Sequence, residues 1–319
     1  MNTKEEKKIG NELILNCYMI LCIGNPVYDT IITPYIKTDG RVLSGCSTNA
    51  CLALAKLGEE TTLVGSIGKD YEEKFLKDLR RYNIKSFVTS SPQTGGFTLI
   101  YPPEGERQLS VLGVADEITE IPENFLEADY VFFGSILQET SKQLFQETKK
   151  KSRAKLFLDP QGILRKINDG KILHECPPDI EEIVSLFDIV KPNEYEAEVI
   201  TGINARKDAY SVVKKIHSWG CKIAIVTLAE LGSVIYDGNK FYDIPAYPTK
   251  AIDSTGAGDT YAAGFIFESL RSDNLQEIGC FASAVASIMV ENTGPDFPLS
   301  LTEVERRSET LTPRYDSYW

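Results

Sequence analysis

The chain has 319 residues, 42% hydrophobic and 25% charged, enough for one large core or for one domain with an appendage. A formal net charge of −12 argues against nucleic acid or an anionic membrane as a partner, since both call for clustered Lys and Arg. Seven scattered cysteines without a C-x-x-C pair, and two distant histidines, exclude a disulfide framework and a zinc site, which points to a reducing cytoplasm.

The only membrane-like stretch, 13–23, is too short to span a bilayer, is interrupted by Asn16, and leads into Gly24-Asn25-Pro26 rather than a cleavage site. It reads instead as a buried first strand, Met19–Ile23, so residues 1–17 are expected to be a polar extension and 18–319 one domain. A turn at 24–29 leads to a strand at 30–32, and Lys37-Thr38-Asp39-Gly40 signals a hairpin. Gly45-Cys46-Ser47-Thr48-Asn49 opens an Ala- and Leu-rich helix that stops at Gly58. A strand at 61–64, a turn at 65–70 with Asp70 as N-cap, and a helix at 71–82 follow. Two alternating runs, 97–101 and 107–112, read as a hairpin on which Arg107 is decoration.

From Tyr130 onward, short apolar strands alternate with helices: strands at 130–133, 155–158, 187–190 and 222–227, helices at 141–150 and 209–219. This pattern implies an α/β fold with a doubly wound, mostly parallel sheet flanked by helices. Ligands in such sheets bind at the carboxyl ends of the strands, where Asp159, Asn193 and Thr227 fall. Gly232 precedes a hairpin turned by Asp237-Gly238. Cys280, Ala282, Ala284 and Ala286 mark a close-packing helix, ended at 292–295, and no function is read into the polar tail from Leu301.

The chemistry concentrates in Asp253-Ser254-Thr255-Gly256-Ala257-Gly258-Asp259, where a loop turns into a helix. Gly256 and Gly258 let the backbone turn sharply and approach a ligand, and the first N–H groups of a helix are free to bind an anion. Asp259 beside a phosphate-binding turn would repel the ligand unless it acts on it, and the economical role is general base toward a hydroxyl. A bare Gly-x-Gly-Asp is also the pattern of a tight turn with a first-turn acid. A dinucleotide fingerprint fails because its third glycine would be Tyr261, and no Walker A sequence exists.

The thirteen residues Asp253 to Phe265 resemble the C-terminal signature of the ribokinase-like (PfkB) carbohydrate kinases. Gly45-x-x-x-Asn49 resembles their N-terminal motif, Asn193-x-x-Glu196 their Asn-x-x-Glu motif, and Thr227-Leu228-Ala229-Glu230 their strand end, with Ala229 where Gly is usual. The resemblance covers roughly 19–295. It implies a ribokinase-like fold with a small β lid from about 28–44 and 96–112. It also implies phosphoryl transfer from ATP to a hydroxyl of a sugar, polyol, sugar acid or nucleoside.

In that resemblance Asp259 is the base, and Gly256, Ala257 and Gly258 supply N–H groups to the transferring phosphoryl group. Asp29, Gly45, Asn49 and Asp253 face the acceptor, and Arg165 is a candidate for an anionic one. Asn193, Thr227, Gly232, Gly256 and Gly258 face the nucleotide, with Asn193 and Glu196 serving Mg2+ through water. A monovalent cation such as K+ near Asp253 and a homodimer through the lid are further expectations. Val27, where ribokinases proper place Asn, and Gly45-Cys46 in place of their Gly-Lys lean away from ribose. A ligand-binding protein that keeps the fold without turnover and a nucleotide-binding dehydrogenase stay open as alternatives.

Overall fold

The computed structural model describes residues 18–102, 108–168 and 171–311. The expected polar extension, Arg107 and the end of the tail lie outside them. In chain order the first half comprises β1 (Met19–Ile23), β2 (Val27–Ile32), β3 (Val42–Ser44), α1 (Cys46–Lys56), β4 (Glu60–Gly68), α2 (Glu72–Arg81), β5 (Lys85–Ser91), β6 (Gly96–Ile100), β7 (Gln108–Gly113), β8 (Tyr130–Phe133), α3 (Lys142–Lys151) and β9 (Lys155–Leu158). Then come α4 (Gln161–Leu164), β10 (Arg165–Asn168), β11 (Lys171–His174), α5 (Ile180–Ser185), β12 (Ile189–Val190), α6 (Glu194–Thr201), α7 (Ala209–Ser218), β13 (Ile223–Thr227), β14 (Ser233–Tyr236), β15 (Phe241–Ile244), α8 (Ala257–Ser269), α9 (Leu275–Val290) and α10 (Leu301–Leu311).

Nine strands form one sheet in the order β15-β14-β13-β12-β9-β8-β1-β4-β5. From β13 to β5 every pairing is parallel, and β14 and β15 add an antiparallel edge. The strands are short and apolar because both faces are covered. Ile20 and Cys22 of β1 enter a core shared with α1, α2, α8, α9 and α10, while Leu21 and Ile23 enter one shared with α3 to α7. The chain runs outward from β1 through β4 to β5, then returns to build β8, β9, β12 and β13 on the other side. The carboxyl ends of β1 and β8 therefore frame the crevice where doubly wound sheets bind ligands. The small residues expected in α9 do pack closely: a Cβ on Gly264 of α8 would stand 2.9 Å from Ala282 Cα.

A second sheet, β10-β11-β7-β6-β2-β3, lies over that edge. It is larger than the small lid expected from 28–44 and 96–112, because β10 and β11 add a hairpin that joins β7 through Lys171 and Ser110. Residues 65–68 continue β4 as strand instead of turning. Asp70 does not cap α2: Tyr71 holds that position, and Asp70 accepts hydrogen bonds from Thr94 N (3.0 Å) and Thr94 Oγ1 (2.7 Å). No helix among the described residues is long and apolar enough to cross a membrane.

Candidate active site

The glycine loop ends where α8 begins. Gly256 is the N-cap with φ of 81°, a left-handed conformation open to glycine, and a Cβ there would also stand 3.0 Å from Asn49 Nδ2. Asp253 Oδ1 accepts from Thr255 N at 2.8 Å and shapes the loop. The first N–H groups of a helix lack intrahelical partners, and here that of Ala257 turns back to Ser254 O at 3.2 Å. Asp259 sits in that first turn, and its Oδ2 accepts a hydrogen bond of 2.8 Å from Asn49 Nδ2. Asn49 is fixed in turn by α1, whose N-cap is Gly45 with φ of 113°. The two glycine motifs, some two hundred residues apart in sequence, thus meet at the Asp259 carboxylate.

Around Asp259 the sheet supplies a charged floor. Cys46 Sγ and carboxylate oxygens of Asp159 and Asp259 lie within 4.8 Å of one another. Lys191, which follows β12, pairs with Asp159, which follows β9, at 2.8 Å, and both are almost wholly buried. Burial, and then the Asp159 charge, push the Asp259 carboxyl above the ordinary aspartate range, while Asn49, Cys46 and Lys191 pull it back. Burial and the neighbouring Asp259 likewise raise the Cys46 thiol, so Cys46 stays protonated. Burial disfavours the charge of Lys191, yet Asp159 and Glu196 more than offset that and hold it above the usual lysine range.

The Asn-x-x-Glu residues form a capping box at the start of α6. Asn193 Oδ1 accepts from Tyr195 N and Glu196 N at 2.9 Å each, and Glu196 Oε2 accepts from Asn193 N at 2.8 Å. Asn193 Nδ2 donates to Glu196 Oε1 at 2.8 Å, so both carboxylate oxygens are already engaged. Burial first, then the Asp159 charge, push Glu196 up to about 7. An ion held here would be reached through water, which would suit Mg2+, a cation that keeps several waters. Asn193 is bridged to Thr227 at the end of β13. Ala229 then adopts φ of 50°, which explains why glycine suits that position better. Gly232 has φ of 91°, and a Cβ there would collide with Ile244 O, so the β14–β15 edge itself requires this glycine.

Other sequence-derived candidates lie further back. Asp29 is buried and accepts from Phe97 N at 2.7 Å, tying β2 to β6. Arg165 is buried, with Nη1 donating to Ile136 O at 3.2 Å and Nη2 to Gln161 Oε1 at 2.9 Å. Near them lies a small cavity whose lining includes Asn25, Val27, Phe97, Ile136 and Glu139. Sequence reading missed Glu139. It accepts from Asn25 N (3.0 Å), Ile136 N (2.7 Å) and Leu137 N (2.6 Å), and burial raises its carboxyl despite those donors. Sequence reading also misses Lys191, whose only signal is a lysine directly after the apolar Ile189-Val190. From the second sheet, Tyr101 Oη meets Thr255 Oγ1 of the glycine loop at 2.8 Å.

A glycine-rich helix start, a carboxylate in its first turn and an acidic capping box are the parts expected of a class: an α/β phosphotransferase acting on a hydroxyl of a small acceptor. Comparison with known proteins carries this to a family. The model for "pfkB family carbohydrate kinase" matches residues 19–302, and the chain belongs to that family. It is 33% identical to the cytidine kinase of Thermococcus kodakarensis over 81% of this chain and 91% of that protein. It is 27% identical to the ribokinase of Haemophilus influenzae over 91% of this chain and 96% of that one. In fold it resembles a pyrophosphate-dependent kinase in the ribokinase family, with a TM-score of 0.79 and 24% identity, over 90% of this chain and 99% of that one. The fold is ribokinase-like, and the chain is a kinase of a sugar-like hydroxyl. The family implies ATP as donor with Mg2+.

Proposed function

We propose that the chain transfers the γ-phosphoryl group of ATP to a hydroxyl of a small polyhydroxy acceptor, with Asp259 as general base. The observation that carries this reading is the Asp259 carboxylate, fixed by Asn49 at 2.8 Å in the first turn of α8. The base takes the acceptor proton as its oxygen attacks phosphorus. The N–H groups at Gly256, Ala257 and Gly258 then receive the charge on the transferring group. Asn193 and Glu196 would hold Mg2+ through water, and the ion would shield the phosphate charges. Thr227 and Gly232 border the nucleotide.

The acceptor is bound by Asp29, Gly45, Asn49 and Asp253, with Arg165 behind the pocket and the second sheet as its lid. Nucleoside acceptors form a second reading, favoured by the similarity to a cytidine kinase. A monovalent cation near Asp253 belongs to this reading: Asp253 N donates to Val290 O at 3.1 Å, three residues before Thr293, whose buried Oγ1 has no hydrogen-bond partner among the described residues. Apolar side chains exposed on the second sheet and its loops, Tyr35, Ile36, Leu112, Ile167 and Leu173, suit a homodimer through the lid. A cytoplasmic setting suits the free cysteines. Activity in potassium against tetramethylammonium salts tests the cation, and sedimentation tests the dimer.

The deciding experiment is phosphate transfer from ATP, with ADP and pyrophosphate as alternative donors, to a panel of sugars, polyols, inositols, sugar acids and nucleosides. Activity on one acceptor class is expected, and its loss in Asp259→Asn. Silence of the whole panel with ATP still bound would instead favour a member of the fold without turnover.

A further inference from the structure

Lys191 is 1% exposed, yet it stands at the carboxyl edge of the sheet, where ligands bind. Its Nζ is 2.8 Å from Asp159 Oδ2, and a Cβ placed on Gly258 would lie 3.3 Å from it. So the ammonium sits directly beside the first turn of α8, between a carboxylate of the floor and the backbone that would receive a phosphoryl group. Asp259 and Glu196 lie within its electrostatic reach, and Arg165 acts on Glu196. Cys46 completes the surroundings as a neutral thiol.

A buried ion pair is a poor way to join two strand ends, because apolar side chains of similar volume usually do as well or better. The ends of β9 and β12 are otherwise packed by apolar side chains such as Leu158 and Val190. What distinguishes this pair is its position. Phosphoryl transfer brings further negative charge to a floor that already holds Asp159 and Asp259. The helix start contributes only partial positive charge. A fixed ammonium there costs no reorganisation at the moment of reaction.

We propose that Lys191 is a positioning residue for phosphoryl transfer: held by Asp159 behind Gly258, it supplies the fixed positive charge against which Asp259 and the transferring group are kept in place. This rests on the reading of Asp259 as the base. The purely structural alternative is that the pair only ties β9 to β12, and the two roles separate in a double substitution.

The test uses the full chain with its accepted substrate and compares Lys191→Met, Lys191→Arg, Lys191→Met/Asp159→Asn and Asp259→Asn. Lys191→Met leaves Asp159 buried and unpaired, so it melts lower and is uninformative about catalysis by itself. The double variant removes both charges and restores the melting temperature. Its kcat is expected to stay down by about a hundredfold, as for loss of a preorganised charge, with both KM values moving less than about threefold. Lys191→Arg keeps the charge and is expected within about tenfold of the parent kcat. A double variant that regains the parent kcat, or a Lys191→Arg that loses as much as the double variant, would overturn the inference while an inactive Asp259→Asn leaves the base in place. An active Asp259→Asn would overturn the base reading and the inference with it.

Discussion

The two sheets of this molecule are supported in different ways. In the large sheet β8 is buried at every residue and β1 and β9 at all but their first, with helices on both faces. In the second sheet β7 alternates and β10 and β11 are mostly exposed, with one small apolar cluster beneath them. Groups that must hold a fixed geometry, Asp159, Lys191 and Asn193, stand at the ends of the fully covered strands. The second sheet reaches the same site from above through Tyr101. Under the proposed function, chemistry would fall to the first sheet, and acceptor capture and release to the second.

The sharpest way to break that division is at Asn49. Its amide stabilises the ionised form of Asp259, so Asn49→Leu should raise the carboxyl further. Activity depends on the ionised base. The acid limb of the kcat profile should therefore move to higher pH, with a loss of about tenfold or more below that limb. Identical limbs in parent and variant would mean that another group titrates.

A smaller effect is expected from Glu196. Its carboxyl is pushed up to about 7 in the fold, above its unfolded value, so folding favours the protonated form. That contribution is full below the ordinary glutamate range and is lost as pH rises through about 7. Between pH 5 and 8 the melting temperature should fall more steeply in the parent than in Glu196→Gln. Parallel curves would remove Glu196 from the account.

The smallest effect belongs to the second sheet. Tyr101→Phe deletes one hydrogen bond to Thr255, of the order of 1 kcal/mol, and should raise the acceptor KM by about threefold to tenfold. Little change in kcat is expected. A kcat loss without a KM change would place the second sheet in the chemistry and dissolve the division.

The same contrast governs how much the sequence reveals. Strands such as β1, β8 and β9 are continuous apolar runs, and the glycine loop and the Asn193 cap are local patterns, so both are legible. The β10–β11 hairpin is not: Lys166, Asn168 and Lys171 leave it no clear apolar face, and pairing with β7 fixes it. β5 is hidden for a similar reason, being a largely polar edge strand. Glu139 and Lys191 escape notice because each is defined by distant partners, Asn25 and Asp159. Asp70 shows the reverse error, a plausible local cap whose bonds go across to Thr94.

The most direct measurement is the kcat of Asp259→Asn on the accepted substrate, with ATP and acceptor affinities determined on the same protein by calorimetry. The account predicts a kcat loss of about 10²–10⁴, the usual worth of a general base, with both affinities within about threefold of the parent. A kcat within about tenfold of the parent, with binding intact, would contradict it.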